Sequence, residues 1–188
     1  MTRTFKFILL LIMCIVPMCA SGAKGQSPQY GLRIQSYPAA TTEFTSILLD
    51  NGNPIHTDGK EITLEMDLWA YPESPIGSIC RILSDNESNI DLMYTLDENF
   101  IRYPMLVTGD NDITQSTPIK YAKWVHVSIS MSPKTGKVVL DYDGVVSETE
   151  YKEFIGTRSV RMAAGLCKLS DYLLFDVASV AVKDVTIY

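Results

Sequence analysis

Residues 123–144 read KWVHVSISMSPKTGKVVLDYDG, and this stretch decides the fold. Every second residue from Val125 to Met131 is apolar and the residues between them are polar, and a similar alternation runs from Val138 to Tyr142. Successive side chains of a β-strand point to opposite faces, so each run predicts a strand with one buried face. The segment 132–136 joins them with a proline, which fixes φ, and a glycine, which tolerates positive φ. We therefore predict a β-hairpin.

The rest of the chain repeats this design in short runs separated by turn residues, which is typical of a β-sandwich or barrel. The clearest run is 61–69, where Ile62, Leu64, Met66 and Leu68 face one side. Further strands are predicted at 78–83, 90–96, 100–107, 160–167 and 177–188. No long segment has helical periodicity, and no internal repeat or low-complexity linker divides the chain. We predict one all-β domain over residues 30–188 with little helix.

The first 23 residues have the layout of a secretory signal peptide. Arg3 and Lys6 precede an uncharged apolar run at 7–16, and small residues follow Pro17. The run is too short to span a bilayer as a stable helix. Cleavage after residue 22 or 23 fits the small-residue rule, and an uncleaved anchor is the alternative. The prediction is export to the periplasm, the cell surface or the extracellular space, with no membrane span after cleavage.

Net charge and motif content exclude several function classes. The chain carries a formal net charge of −6, and loss of the signal peptide would make it more negative. An acidic surface disfavours nucleic acid and anionic membranes as partners. No phosphate-binding loop, dinucleotide fingerprint or serine-hydrolase elbow occurs in the sequence.

Two cysteines follow the predicted signal peptide, Cys80 and Cys167. In an exported protein two thiols can form one disulfide. The alternative is that both are buried free thiols, since each lies in an apolar strand-like run and a buried cysteine behaves as a small hydrophobe. A metal site in which His56 and His126 join the cysteines is not expected, because neither histidine has finger-like spacing.

Residues 123–144 also resemble the central hairpin of laminin-G-like domains in the concanavalin A-like superfamily. In those domains a strand of the form W-x-H-V/I-x-V/I is followed by a glycine turn and by a strand ending in aromatic-x-Asp-Gly. The matching residues here are Trp124, His126, Val127, Ile129, Gly136, Tyr142, Asp143 and Gly144. The family's closing strand is matched by Lys183, Asp184, Val185, Ile187 and Tyr188.

The resemblance covers residues 30–188 and implies an antiparallel, two-sheet, concanavalin A-like jelly roll. The chain looks most similar to the N-terminal sandwich of bacterial secreted proteins in which a kelch-type propeller follows. Such a fold implies no particular ligand, because it hosts lectins, glycosidases, protein-binding domains and spacers.

Carbohydrate binding would need exposed aromatic rings with acidic partners. The candidates are Trp69, Tyr71 and Tyr103, with Glu65 and Asp67 on the same strand face as Trp69. The alternative is that Trp69 packs under a loop at a sheet edge, and that Trp124 does the same at the next sheet.

The sequence offers weaker support for two other site types. Family members that cleave β-glucans carry E-x-D-x-x-E on one strand, but here Ala70 occupies the third acidic place after Glu65 and Asp67. One carboxylate cannot be both nucleophile and acid, so no enzyme activity is expected. A Ca²⁺ site would be best placed at Asp110 and Asp112, and no other cofactor is expected.

The sequence is therefore compatible with three functions. The favoured one is an exported, non-catalytic module that binds carbohydrate or a protein partner. The second is a structural accessory domain that packs against a C-terminal propeller, and a degenerate glycoside hydrolase ranks third.

Overall fold

The computed structural model describes residues 30–34, 47–49, 55, 59–74, 76–108, 111–162, 167–169, 172–174 and 178–188. These residues form fourteen β-strands and no helix. Within this part of the chain, no helix has the length and apolar character needed to cross a membrane.

The strands form two six-stranded antiparallel sheets. Sheet A has the order β1 (Leu32–Ile34), β14 (Val180–Ile187), β3 (Ile62–Ala70), β8 (Trp124–Ser132), β9 (Lys137–Tyr142), β10 (Val145–Glu150). Sheet B has the order β2 (Ile47–Leu48), β11 (Ser159–Met162), β4 (Gly77–Leu83), β5 (Asn89–Leu96), β6 (Arg102–Val107), β7 (Ile113–Thr114). A separate pair consists of β12 (Cys167–Leu169) and β13 (Tyr172–Leu174). The predicted all-β, two-sheet architecture is confirmed.

The main core lies between the two sheets and uses the predicted alternation. Along β3 the residues from Ile62 to Ala70 alternate between buried and half-buried side chains. Along β8 every second residue from Val125 to Met131 is buried. Sheet B contributes the facing apolar residues, among them Ile82, Ile90, Leu92 and Leu106. Burial of such side chains contributes about 1.5–3 kcal/mol each, which is what holds the two sheets together.

The hairpin of β8 and β9 forms as predicted, with Ile129 paired to Leu140. The chain then turns again at Asp143 and Gly144, whose φ angles are +56° and +83°, and runs back as β10. Two central residues with positive φ suit a tight two-residue turn, and Asp-Gly is a favoured pair for it. Strand β10 was not predicted, because its side chains alternate only between exposed and half-buried and give no clear apolar period.

Several predicted strand boundaries differ from the structure, among them those of β6 and β11. Strand β6 begins at Arg102 rather than at residue 100, since Phe100 has a φ of +61° and belongs to the preceding turn. The predicted strand 160–167 is β11 up to Met162, and β12 begins at Cys167. Residues 163–166 lie outside the described residues.

Cys80 is a free cysteine and is fully buried in β4. Burial, and to a smaller degree the charge of Asp91, raises the pKa of the Cys80 thiol to about 12. The side chain of Cys167 lies outside the described residues, so the proposed bridge between the two stays a prediction.

We expect the Cys80 thiol to resist a thiol-specific reagent at pH 8 in the folded protein. With a pKa near 12, only about one thiol in ten thousand is the reactive thiolate. Labelling in the folded state and then in urea without reductant measures this. If two thiols react and do so only after unfolding, Cys80 and Cys167 are not bridged. If no thiol reacts even in urea, the two form a disulfide. Fast labelling of a Cys167→Ser variant in the folded state would contradict the burial of Cys80.

Candidate functional site

The face of sheet A that points away from sheet B collects aromatic and charged side chains at one place. Strands β3 and β8 are neighbours, and their register pairs Asp67 with His126 and Trp69 with Trp124. On the other side of β3, strand β14 pairs Lys183 with Asp67. We call these side chains, together with one from the segment before β1, the outer-face patch: Tyr30, Asp67, Trp69, Trp124, His126 and Lys183.

The aromatic part of the patch consists of three rings around Trp124. The Trp69 ring meets Trp124 edge-on, with centroids 5.6 Å apart and planes at 67°. Tyr30 stacks on Trp124 with centroids 6.0 Å apart and an interplanar angle of 19°. Both are favourable aromatic geometries. Tyr30 is exposed, while the two tryptophans are half-buried.

Gly31 allows Tyr30 to reach this position. Its φ is +112°, which favours glycine, and a Cβ there would lie 3.0 Å from the Trp124 ring atom Cη2 and 3.0 Å from the carbonyl oxygen of Val182. The close approach of the backbone therefore depends on the absence of a side chain at residue 31.

The charged part of the patch is centred on Asp67. The Lys183 Nζ lies 3.1 Å from Asp67 Oδ2 and 3.3 Å from Asp184 Oδ2. The His126 Nδ1 lies 3.3 Å from Asp67 Oδ1. Lys183 Nζ also lies 5.0 Å from the Trp124 ring centroid and 5.2 Å from that of Tyr30, within the range of a cation–π interaction. Lys183 thus links the acidic and aromatic parts.

These contacts shift the protonation equilibria of the patch. Burial by itself raises the pKa of Asp67, but hydrogen bonds from Lys183 and His126 outweigh it, so that the pKa falls below its ordinary 3.8. The hydrogen bond to Asp67 is the main reason that the pKa of Lys183 is raised above 10.5. At neutral pH both groups are therefore charged.

A β-bulge in β14 places Lys183. The register between β14 and β3 shifts between Lys183 and Thr186, and Asp184 has a φ of +51°. A bulge inserts an extra residue and bends the strand, which re-aims the side chains beside it. Past the bulge, Tyr188 returns to the outer face, where its hydrogen bond with Glu65 raises the pKa of the tyrosine.

One polar group of the patch has no partner. Among the described residues the indole N–H of Trp69 is buried and donates no hydrogen bond. A buried donor without a partner costs about 1–3 kcal/mol, so each such group in a folded protein needs an explanation. Because this nitrogen is shielded from solvent, a ligand on the patch would reach it only if the side chains that cover it moved.

The structure gathers three of the five predicted binding residues on one face: Glu65, Asp67 and Trp69. Tyr71 does not belong with them, because it is only 4% exposed and the Arg33 guanidinium covers its ring at 4.8 Å from the centroid. Tyr103 lies in β6 of the other sheet. The burial of Tyr71 corrects its prediction as an exposed platform, whereas sugar binding by Tyr103 stays a prediction. The local pattern contains neither the end of β3 at Ala70 nor the assignment of strands to sheets.

Sequence reasoning missed most of the partners of Trp69. One of the two alternatives placed Trp124 at an edge of the next sheet, but it lies directly across from Trp69 on an interior strand pair of sheet A. His126 lies on the same face of β8 as Trp124, and its side chain is 54% exposed. The W-x-H spacing, which puts both side chains on one strand face, was the signal that could have found them together.

The predicted Ca²⁺ loop is only partly described. Asp112 Oδ1 accepts a hydrogen bond from the Thr108 backbone N–H at 3.1 Å, and the Thr108 hydroxyl donates to the Asn111 carbonyl at 2.7 Å. Asp110 lies outside the described residues. Nowhere in the described ranges do three or more potential metal ligands come together. A calcium site at Asp110 and Asp112 stays a prediction.

The two antiparallel sheets form a jelly-roll β-sandwich, which is the fold that the resemblance to laminin-G-like domains implied. No protein-family model and no curated protein sequence matches the chain. Solved structures match the fold, and enzymes that act on glycans are among them as well as binding domains.

Three of these structures have TM-scores between 0.52 and 0.54. The native heptameric SAP-like pentraxin from Limulus polyphemus has a TM-score of 0.54 and 14% identity, covering 81% of this chain and 73% of its own. The mouse laminin α1 LG4-5 domains have a TM-score of 0.52 and 11% identity, and the match covers 86% of this chain and 44% of theirs. A putative carbohydrate binding protein from Bacteroides ovatus has a TM-score of 0.53 and 12% identity, and the match covers 84% of this chain and 42% of its own. At these identities the likeness shows the fold alone. This chain spans less than half of the laminin and Bacteroides chains.

Proposed function

We propose that this chain is an exported, non-catalytic module that binds a glycan on the outer-face patch. The observation that carries the proposal is the juxtaposition of Trp69, Trp124 and Tyr30 with the Asp67 carboxylate on rigid neighbouring strands. The predicted signal peptide supports export. Binding domains among the structures of the same fold are consistent with this role.

The patch offers both kinds of contact that a sugar needs. An aromatic ring accepts the apolar face of a sugar, and polar side chains pair with its hydroxyls. Tyr30 and His126 are exposed, so a ligand can reach them. Asp67 receives one hydrogen bond on each oxygen and, as an ionised carboxylate, has further acceptor capacity.

The charge around the patch favours an uncharged glycan. Asp67, Asp184 and Glu65 are acidic, and Lys183 is already shared between the first two. The chain as a whole carries −6. A uronate or sialate would meet repulsion from these carboxylates and from the overall field, whereas a neutral sugar would not.

The same contacts argue against glycoside hydrolysis. A general acid must hold its proton near neutral pH, which requires a raised pKa. The pKa of Asp67 is instead lowered by its bonds to Lys183 and His126. Glu65 is engaged with Tyr188, and Ala70 in the third position has no ionisable group. These residues therefore support binding rather than catalysis.

A second candidate is an accessory domain that packs against a neighbouring domain. The observation in its favour is a set of exposed apolar side chains along β1 and β14: Tyr30, Leu32 and Tyr188. These residues adjoin the outer-face patch, so a protein partner would compete with a glycan for the same face.

We expect the secreted protein to bind neutral oligosaccharides on a glycan array, and Tyr30→Ala and His126→Ala each to weaken binding about tenfold, the equivalent of 1.4 kcal/mol. Isothermal titration calorimetry with the best array ligand measures the loss. Both residues are exposed, so their removal should leave the fold intact. Phe100→Gly, which changes an exposed aromatic beyond sheet B, is the matched control and should bind normally.

Absence of binding to any glycan would overturn the proposal and favour the accessory role. Binding that survives both patch substitutions would move the site elsewhere. Preference for anionic glycans, lost in the patch variants, would keep the site but contradict the expected neutral ligand.

A further inference from the structure

The loop between β5 and β6 displays a bulky aromatic side chain in an unusual backbone conformation. The Asp97 N–H donates to the Ile101 carbonyl at 3.0 Å, which closes the hairpin, and the Phe100 N–H donates to the Asp97 carbonyl at 3.1 Å, which forms a β-turn. Phe100 is the last residue of that turn and has a φ of +61°. In hairpin loops of this kind the left-handed position is normally occupied by glycine.

The Asp97 side chain holds this conformation in place. Its Oδ1 accepts the backbone N–H of Asn99 at 2.9 Å and that of Ile101 at 2.7 Å. A residue remains in a strained region only when its surroundings over-determine it, and such residues cluster at functional sites. The hydrogen bonds of Asp97 therefore fix the backbone from which the side chain of residue 100 projects into solvent.

Packing of the Phe100 side chain does not offset this backbone strain. It is 81% exposed, and its neighbours Leu96 and Ile101 are exposed as well. A glycine at position 100 would relieve the strain without loss to the core. Exposed apolar side chains that cluster in this way mark interaction sites. We call residues 96–101 the apolar tip.

We propose that the apolar tip docks into an apolar pocket on a partner protein whose rim is basic. Phe100 is the anchor, as aromatic residues in a pocket are at the centre of protein interfaces. Asp97 and Glu98 provide the charge, and no basic residue lies within residues 96–101. The same acidic pair disfavours an anionic bilayer. A second copy of this chain, which carries −6, is disfavoured too.

The tip and the outer-face patch belong to different sheets, so the two sites can be tested separately. The first measurement is thermal unfolding of Phe100→Gly. We expect Tm to rise by about 2–4 °C, because the strain is removed at little cost. A lower Tm would make Phe100 a structural residue and overturn the proposal.

The second measurement identifies and quantifies the partner. A photo-crosslinking amino acid is placed at position 100 and, as a matched exposed control in the β8–β9 turn, at Lys134. A protein captured only from position 100 is identified, purified and titrated against the wild type. We expect Phe100→Gly to bind it at least tenfold more weakly and Tyr30→Ala to bind it normally.

Equal binding by the wild type and Phe100→Gly would overturn the proposal, as would the absence of any capture specific to position 100. Crosslinks between two copies of this chain would assign the tip to self-association instead. Insertion of a fluorophore at position 100 into phosphatidylcholine or phosphatidylglycerol vesicles would assign it to a membrane surface.

Discussion

Replacing Arg81 by methionine is expected to lower the free energy of unfolding by about 3–5 kcal/mol. The Asp91 carboxylate is fully buried in β5 and accepts two hydrogen bonds from Arg81, from Nε at 2.7 Å and from Nη2 at 3.0 Å. Asn89 donates a third at 2.6 Å. Methionine keeps the apolar stem but removes the charge, which leaves the buried carboxylate without its main counter-ion. Urea unfolding at pH 7 measures the loss.

Two controls separate this effect from simple loss of an ion pair. Lys137→Met breaks the Lys137–Glu148 pair, whose atoms lie 2.6 Å apart but whose side chains are more than half exposed, and should cost less than about 1 kcal/mol. The double variant Arg81→Met, Asp91→Leu removes the buried charge and should recover most of the stability. A cost below about 1 kcal/mol for Arg81→Met alone would show that Asp91 is not buried as an ion.

Replacing Ile129 by alanine is expected to cost about 2–5 kcal/mol of unfolding free energy. Ile129 is fully buried at the middle of β8, between Leu64 of β3 and Leu140 of β9. Truncation removes its apolar contacts and leaves a cavity between the sheets. Because single domains are stable by only about 5–15 kcal/mol, this loss should be visible as an earlier urea midpoint.

The neighbouring residue provides the matched control. Ser128 lies on the opposite face of the same strand and is half-buried, so Ser128→Ala should change stability by about 0.5 kcal/mol or less. Similar costs for Ile129→Ala and Ser128→Ala would mean that the predicted division of β8 into a core face and an outer face is wrong.

Much of the fold could be predicted because the alternation of side chains is a local property. The runs around Ile62, Val125 and Val138 each contain their own buried face, and the structure buries the residues expected there. Strand β10 was not predicted because it is an edge strand whose side chains are alternately half-buried and exposed. Its sequence therefore shows no apolar face. Tyr71 was misjudged because it follows the last residue of β3, where the alternation no longer applies.

The candidate site could be predicted only in part. The alternation along β3 placed Glu65, Asp67 and Trp69 on one face, and the structure agrees. It carried no information about which strands lie beside β3, so the partners Trp124 and Lys183 were not recognised. Phe100 was assigned to a strand for a similar reason, since its apolar character hides the left-handed turn that Asp97 imposes.

By itself, the sequence determined the strands and the face that each one buries, because a period of two residues and the chemistry of turns act over a few neighbouring positions. Only the tertiary structure decided that β14 and β8 flank β3, and therefore that Lys183 and His126 both reach Asp67. Residues separated by more than fifty positions meet through backbone hydrogen bonds and a bulge. Their register depends on the packing of the whole sandwich rather than on any local pattern.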